Sequence, residues 1–158
     1  MPEARFSFLG TMTDDKTVQN DLRLAGSEGI RILSMFDREQ LPRLLSPCAV
    51  GLFPSYIEGF GLAVLEQLAC GIPTIAYDVS GPRQILRSLA ATLLVPAGDT
   101  AAMAERALKI LRLDVQEHRA LSGQCRSIAD QFRWEKIASD TIDKYWEALK
   151  TTNVPAFT

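Results

Sequence analysis

The chain has 158 residues, 47% of them hydrophobic, and carries 17 Lys and Arg against 19 Asp and Glu for a formal net charge of −2. That length buries a core without disulfide or metal staples. The near balance of charge excludes the basic field that nucleic acid binding requires, and the aromatic residues are not interleaved with Arg and Lys.

Arg5 to Gly10 predicts a short strand stopped by glycine. Thr13 then predicts a helix cap, with Asp14 and Asp15 in the first turn and Val18, Leu22 and Ala25 on one face, ending near Gly26 or Gly29. Ile30 to Phe36 reads as a second strand. Asp37 to Ser46 reads as a helix with Leu41, Leu44 and Leu45 on one face and Pro42 in its first turn. Cys48 to Phe53 is a near-continuous apolar run, expected for a strand covered on both faces. A glycine-rich turn follows, then a helix from Gly61 to Cys70 stopped by Gly71, and a strand at Thr74–Tyr77. Asp78 to Gln84 forms another turn into a short helix. Thr92 to Val95 is the last strand. Asp99 or Thr100 caps a helix with Met103, Ala104, Ala107, Leu108 and Leu111 apolar. Further helices cover about 115–131 and 134–149, the latter with Ile137, Ile142, Tyr145, Trp146 and Leu149. Residues 1–150 read as one domain and 151–158 as a disordered tail. Strands alternating with helices through short glycine-marked turns imply an α/β fold, a Rossmann-like parallel sheet of about five strands with helices on both faces.

Cys48, Cys70 and Cys125 are odd in number and widely spaced, which suits buried thiols in a reducing compartment rather than a disulfide framework. No apolar run approaches the ~20 residues of a membrane span and no signal-peptide pattern opens the chain, so a cytoplasmic protein is expected. His118 stands alone on a helix and reads as solvated. Arg83, near the strand ends, reads equally as a ligand contact or a surface residue.

The chemistry concentrates between Glu58 and Glu66, which are separated by seven residues. Ligands of an open parallel sheet bind outside the carboxyl ends of the strands, and the turn Pro54–Gly61 leaves such an end to enter a helix. Unpaired amides near Gly61, Leu62 and Ala63 would cradle a phosphate or diphosphate without any net positive charge. Gly59 and Gly61 allow a bulky anion close to the backbone. Glu66 lies roughly 7–8 Å further along the helix, about the offset from a phosphate to a ribose diol, and a carboxylate accepts two hydroxyl hydrogen bonds. On spacing alone, Glu66 reads equally as a solvated helix residue and Glu58 as an exposed turn residue favouring the helix dipole.

The run Glu58-Gly59-Phe60-Gly61-Leu62-Ala63-Val64-Leu65-Glu66-Gln67-Leu68-Ala69-Cys70-Gly71-Ile72-Pro73 closely resembles the E-x(7)-E signature of the retaining, nucleotide-sugar-dependent group 1 (family 4) glycosyltransferases. Phe53-Pro54-Ser55, Asp37 to Leu45, Asp78 to Arg83, Leu93 to Asp99 and Phe132-Arg133-Trp134 resemble the flanking elements of that family, in order, over about residues 5–149. The resemblance implies a GT-B fold, two Rossmann-like domains facing a cleft, of which this chain is the C-terminal, donor-nucleotide domain. It implies that Glu66 holds the donor ribose and that Glu58, the catalytic carboxylate, faces the sugar hydroxyls near the reacting carbon. Gly59, Phe60, Gly61, Leu62 and Ala63 would line the diphosphate and part of the sugar, and Met35, Phe36 and Arg38 would flank the nucleobase. The donor would be a nucleotide-diphosphate sugar, with no metal and no other cofactor; the acceptor, a glycan or lipid, would be bound by an N-terminal domain absent from this chain. The full-length protein would be cytoplasmic or peripheral at the inner membrane.

Aligned on these motifs, Phe6–Gly10 matches the second strand of the family domain. The chain is therefore expected to be truncated, lacking the first strand with its diphosphate-binding Arg and Lys, and inactive in isolation. That first strand is central in a 3-2-1-4-5-6 sheet. Its loss predicts either direct pairing of the Phe6–Gly10 strand with the Cys48–Phe53 strand or self-association through exposed strand edges. Gln84 stands where the family often has an acidic residue. The competing functions are another GT-B enzyme, such as a nucleotide-sugar epimerase or a phosphorylase, and a non-catalytic nucleotide-binding or interaction domain.

Overall fold

A computed structural model of the chain describes residues 4–21 and 29–151. The chain divides into two compact units, Met1–Pro47 and Cys48–Thr158.

In the first unit, β1 (Phe6–Leu9) runs parallel to β2 (Ile30–Leu33), with Phe6 opposite Ile30 and Leu9 opposite Leu33. Between them lies α1 (Asp15–Asp21). Its cap is Asp14, not Thr13: the Asp14 carboxylate accepts the Thr17 amide at 3.0 Å and the Thr17 hydroxyl at 2.7 Å. A carboxylate reaches the N3 amide and also suits the positive end of the helix, so it outcompetes the neighbouring hydroxyl. These hydrogen bonds hold the Asp14 carboxyl below its ordinary pKa. A 3-10 turn at Arg38–Gln40 leads into α2 (Leu41–Leu45), with Pro42 in its first turn and Leu45 buried. The stretch carrying Leu22 and Ala25, and the tail after Thr151, lie outside the described residues.

In the second unit, β3 (Gly51–Phe53), β4 (Thr74–Tyr77) and β5 (Leu94–Val95) form a parallel sheet in the order β3-β4-β5. β4 is central, and all four of its residues are buried. Among the described residues the five strands thus form two sheets. Within each unit the pairing is internal: β1 pairs with β2, and β3 with β4. β3 is also shorter than expected, and Leu52 remains 41% exposed, so this strand is not covered on both faces.

Helices α3 (Leu62–Ala69), α4 (Ser80–Ile85), α5 (Ala90–Leu93), α6 (Thr100–Leu111), α7 (Val115–Ala129) and α8 (Trp134–Thr151) complete the unit. The core joins Val64, Leu65 and Leu68 of α3 to Ile75 and Tyr77 of β4, Leu93, Val95, Met103 and Ile110, and Leu121, Cys125 and Ile128 of α7. Each fully buried aliphatic side chain contributes about 1.5–3 kcal/mol relative to exposure. Thr92 and Leu93 belong to the single helical turn α5, not to a strand. Leu93 is wholly buried there, and the Arg106 guanidinium holds the Ala91 carbonyl, so tertiary anchoring overrides the strand preference of a β-branched residue. In α6 the buried residues are Met103 and Ile110, whereas Ala104, Leu108 and Leu111 face outward; the apolar face is rotated from the expected one. Cys48 and Cys70 are half-buried and Cys125 is fully buried; none of the three is in a disulfide.

Candidate functional site

The turn that follows β3 delivers its side chains to the start of α3. Ser55 closes the first bend by donating its hydroxyl to the Ile57 carbonyl at 3.0 Å. Glu58 Oε1 then accepts the Phe60 amide at 3.2 Å, which fixes the half-buried carboxylate on its own turn. Gly61 follows with φ of 101°, a left-handed conformation that a side chain strains. A Cβ there would also meet Ile85 Cδ1 at 3.4 Å. Gly59 differs: an added Cβ would find no described atom within 4 Å. Glycine at 61 is therefore demanded by the fold, whereas glycine at 59 keeps open space beside the turn.

Gly61 is the N-cap of α3, and among the described residues no side chain caps that helix. The contrast with the longer helices is direct. Asp99 caps α6 by accepting the Ala102 amide at 2.8 Å, and Asp114 caps α7 in a reciprocal capping box with Glu117. Their positive ends are answered by carboxylates within the fold, while the amides of Leu62 and Ala63 open α3 on exposed residues. One turn on, Glu66 shares the helix face of Leu62 and Ala63, and helical Cα–Cβ bonds tilt back toward the N-terminus. Glu58, the uncapped amides and Glu66 thus line up along one short segment.

The turn is fastened from three sides. Tyr56 packs edge-on against Tyr77 of β4, with ring centroids 5.2 Å apart. Burial, with the neighbouring Tyr56 second, pushes the Tyr77 phenol above its ordinary pKa. The Glu58 carbonyl is held from the start of α4 by the Ser80 hydroxyl at 3.1 Å and the Gly81 amide at 3.2 Å. The Phe60 ring meets the Phe132 ring at 5.9 Å, also edge-on. Sequence reasoning assigned Tyr56 and Ser80 no role at the site; Ser80 fell within the glycine turn Asp78–Arg83, and Phe132 entered only through the Phe132-Arg133-Trp134 motif, without its contact to Phe60.

Arg83 is committed to Asp78: its Nε lies 2.6 Å from Oδ1 and its Nη2 donates to the Asp78 carbonyl at 3.0 Å. This pairing raises the guanidinium pKa further, so its charge serves the β4–α4 loop. His118 is half-exposed, and its Nε2 lies 2.8 Å from the Ala49 carbonyl oxygen, which ties α7 to the approach of β3. Open hollows of about 340 and 440 Å³ are present, and neither of the two is lined by Glu58 or Glu66. Among the described residues no group of three His, Cys, Asp or Glu side chains forms a metal-binding set, and no helix is long and apolar enough to cross a membrane. Met35, Phe36 and Arg38 lie in the first unit just after β2, with Met35 exposed and Phe36 half-buried near Gly10.

Comparison with known proteins gives this arrangement a family. The model for "Glycosyl transferases group 1" matches residues 1–113. The chain belongs to the group 1 glycosyl transferases. It is 33% identical over 121 residues to the N-acetyl-alpha-D-glucosaminyl L-malate synthase of Bacillus anthracis, covering 76% of this chain and 32% of that protein. It is 34% identical over 128 residues to a D-inositol 3-phosphate glycosyltransferase of Streptomyces bingchenggensis, covering 81% of this chain and 28% of that protein. Among solved structures, sucrose-phosphate synthase from Thermosynechococcus elongatus superposes with a TM-score of 0.77 at 26% identity, over 96% of this chain and 40% of that one. The chain thus spans about a third of the length of these curated relatives.

Proposed function

We propose that this chain is the donor-binding half of a retaining hexosyltransferase that moves a sugar from a nucleotide-diphosphate sugar to a glycan or lipid acceptor, in cytoplasmic polysaccharide or glycolipid synthesis. The observation that carries this reading is the uncapped start of α3 between two carboxylates, in a group 1 glycosyl transferase. The amides from Gly61 to Ala63 hold the diphosphate, whose charge grows as the bond to the sugar breaks. Fixed dipoles aimed at that developing charge lower the barrier. Glu66 accepts hydrogen bonds from the ribose diol, and Glu58 from sugar hydroxyls beside the reacting carbon. The nucleobase role of Met35, Phe36 and Arg38 stands on the family resemblance alone. No metal or other cofactor enters this reading. An acceptor-binding domain would complete the site, and the isolated chain is expected not to transfer sugar.

The test is calorimetry on the enzyme that carries this chain, with a panel of UDP-, GDP- and ADP-linked hexoses. Glu66→Ala should weaken the best donor roughly tenfold to a hundredfold, since hydrogen bonds to a charged group contribute about 1.5–3 kcal/mol. The loss should vanish for a nucleotide lacking the ribose diol. Unchanged affinity in Glu66→Ala would remove the ribose assignment, and a panel without any binder would favour the non-catalytic alternative.

A further inference from the structure

Two adjacent residues outside the Glu58–Glu66 segment converge on one atom within it. The main-chain carbonyl of Glu58 accepts the Ser80 hydroxyl at 3.1 Å and the Gly81 amide at 3.2 Å. Both donors stand where α4 begins, just past the carboxyl end of the fully buried strand β4. Gly81 is also pressed against the next part of the turn: a Cβ on it would stand 2.5 Å from the Phe60 carbonyl oxygen and 2.6 Å from the Phe60 carbonyl carbon. Its φ lies outside the left-handed range, so glycine is required here for space and not for backbone freedom.

The same two turn residues define the aim of the carboxylate. Glu58 Oε1 accepts the Phe60 amide at 3.2 Å, so the orientation of the Glu58 side chain depends on where the Phe60 backbone sits. The start of α3 is set differently, through the Gly61 carbonyl, which accepts the Val64 and Leu65 amides at 3.0 and 3.1 Å. The Leu62 and Ala63 amides are thus set within α3, apart from the contacts that place the carboxylate, whereas the Gly61 amide shares a planar peptide with the Phe60 carbonyl.

We infer that Ser80 and Gly81 are positioning residues for sugar transfer: they lock the Glu58–Phe60 backbone against rigid β4 and so direct the Glu58 carboxylate at the donor sugar, while the Leu62 and Ala63 amides of the diphosphate cradle are set within α3. This inference rests on the reading of Glu58 as the sugar-facing carboxylate. A hydrogen bond that holds a reacting geometry acts on the step in which that geometry is used. The lock should therefore appear in kcat and in the extra affinity that the sugar adds to the nucleotide, and not in affinity for the nucleotide itself.

The experiment compares wild type with Ser80→Ala, Ser80→Thr, Gly81→Ala and Glu58→Gln in the enzyme that carries this chain. It uses the best-bound member of a panel of UDP-, GDP- and ADP-hexoses, and its matching nucleoside diphosphate. Ser80→Ala should lower kcat about threefold to tenfold, the effect of one neutral hydrogen bond. Gly81→Ala should lower it on the order of a hundredfold, the effect of a displacement near 1 Å. Ser80→Ala should keep nucleoside diphosphate affinity within about twofold of wild type, as one lost contact outside the cradle allows; Gly81→Ala also displaces the Phe60 carbonyl, which shares a planar peptide with the Gly61 amide, and should weaken the diphosphate as well. Ser80→Thr, which keeps the hydroxyl, should restore kcat. If kcat and the sugar-dependent affinity stay at wild-type values in Ser80→Ala and Gly81→Ala while Glu58→Gln is impaired, the lock is overturned and the Glu58 reading survives. If diphosphate affinity, kcat and melting temperature fall together in Ser80→Ala, the contacts are merely structural and the inference is overturned. If Glu58→Gln is itself without effect, the reading of Glu58 fails and the inference goes with it. Should Gly81→Ala not fold, the Ser80→Ala and Ser80→Thr pair decides alone.

Discussion

The hydroxyl of buried Ser122, in α7, donates to the main-chain carbonyl of Gly71, the residue that ends α3. Gly71 has φ of 76°, and the Arg126 guanidinium covers it. The far end of α3 is thus fastened to α7, while its near end opens at the candidate site. Ser122→Ala leaves a buried acceptor unpaired and should cost about 1–3 kcal/mol. Gly71→Ala should cost more, because about 1–2 kcal/mol of left-handed strain is joined by displacement of Arg126. Urea denaturation midpoints measure both, and an unchanged midpoint in Ser122→Ala would show that the bond does not matter.

The two glycines of the turn should separate stability from binding. Gly61→Ala meets a backbone with φ of 101° and should cost about 1–2 kcal/mol. Gly59→Ala enters open space and should change stability by no more than about 0.5 kcal/mol. If the donor approaches the turn there, Gly59→Ala nevertheless weakens nucleotide-sugar binding. Full affinity in that variant would mean the ligand passes elsewhere.

Alkaline pH should weaken the fold through one thiol. Cys125 is wholly buried, and burial pushes its pKa from 9.0 up to about 11, against a smaller downward pull from Arg126. The folded state then keeps a proton that the unfolded chain releases. This contribution is whole below pH 9, is lost as pH rises from about 9 to about 11, and amounts to roughly 2–3 kcal/mol. Replacing the thiol in Cys125→Ala should flatten this part of the stability profile, read from denaturation midpoints between pH 8 and 10.5. An equally steep decline in the variant would assign the effect to other groups.

Large apolar residues should divide sharply by place. Leu68 is wholly buried, so Leu68→Ala should cost about 2–5 kcal/mol. Trp146 of α8 is 59% exposed, and no residue of that helix is buried. Trp146→Ala should shift stability by about 0.5 kcal/mol or less. A large loss of melting temperature in Trp146→Ala would reveal a partner for that face.

Legibility followed the range of the interactions. Strand β4 and helix α3 were readable almost to the residue, because Gly71 and Pro73 punctuate a local pattern that burial then reinforces. The Glu58–Glu66 segment was readable for the same reason: its turn, its glycine and its helix are contiguous. The Asp14 cap was missed because two adjacent residues both suited the role and only geometry separates them. Thr92 was misread because its helical turn depends on Leu93 reaching the core. The grip of Ser80 on Glu58 spans 22 positions, and the tie of His118 to Ala49 spans 69. Contacts at such separation leave no periodic trace in the chain.

The uncapped start of α3 has a consequence for turnover. In the proposed reading its amides grip a diphosphate that the donor and the spent nucleotide share. Because the charge on that diphosphate grows as the sugar leaves, these amides hold the spent nucleotide at least as firmly as the donor and cannot expel it. Spent nucleoside diphosphate is then the resident competitor at this turn, weaker than the donor only by what Glu58 gains from the sugar. Product escape, more than bond cleavage, becomes the event that the rest of the enzyme must drive.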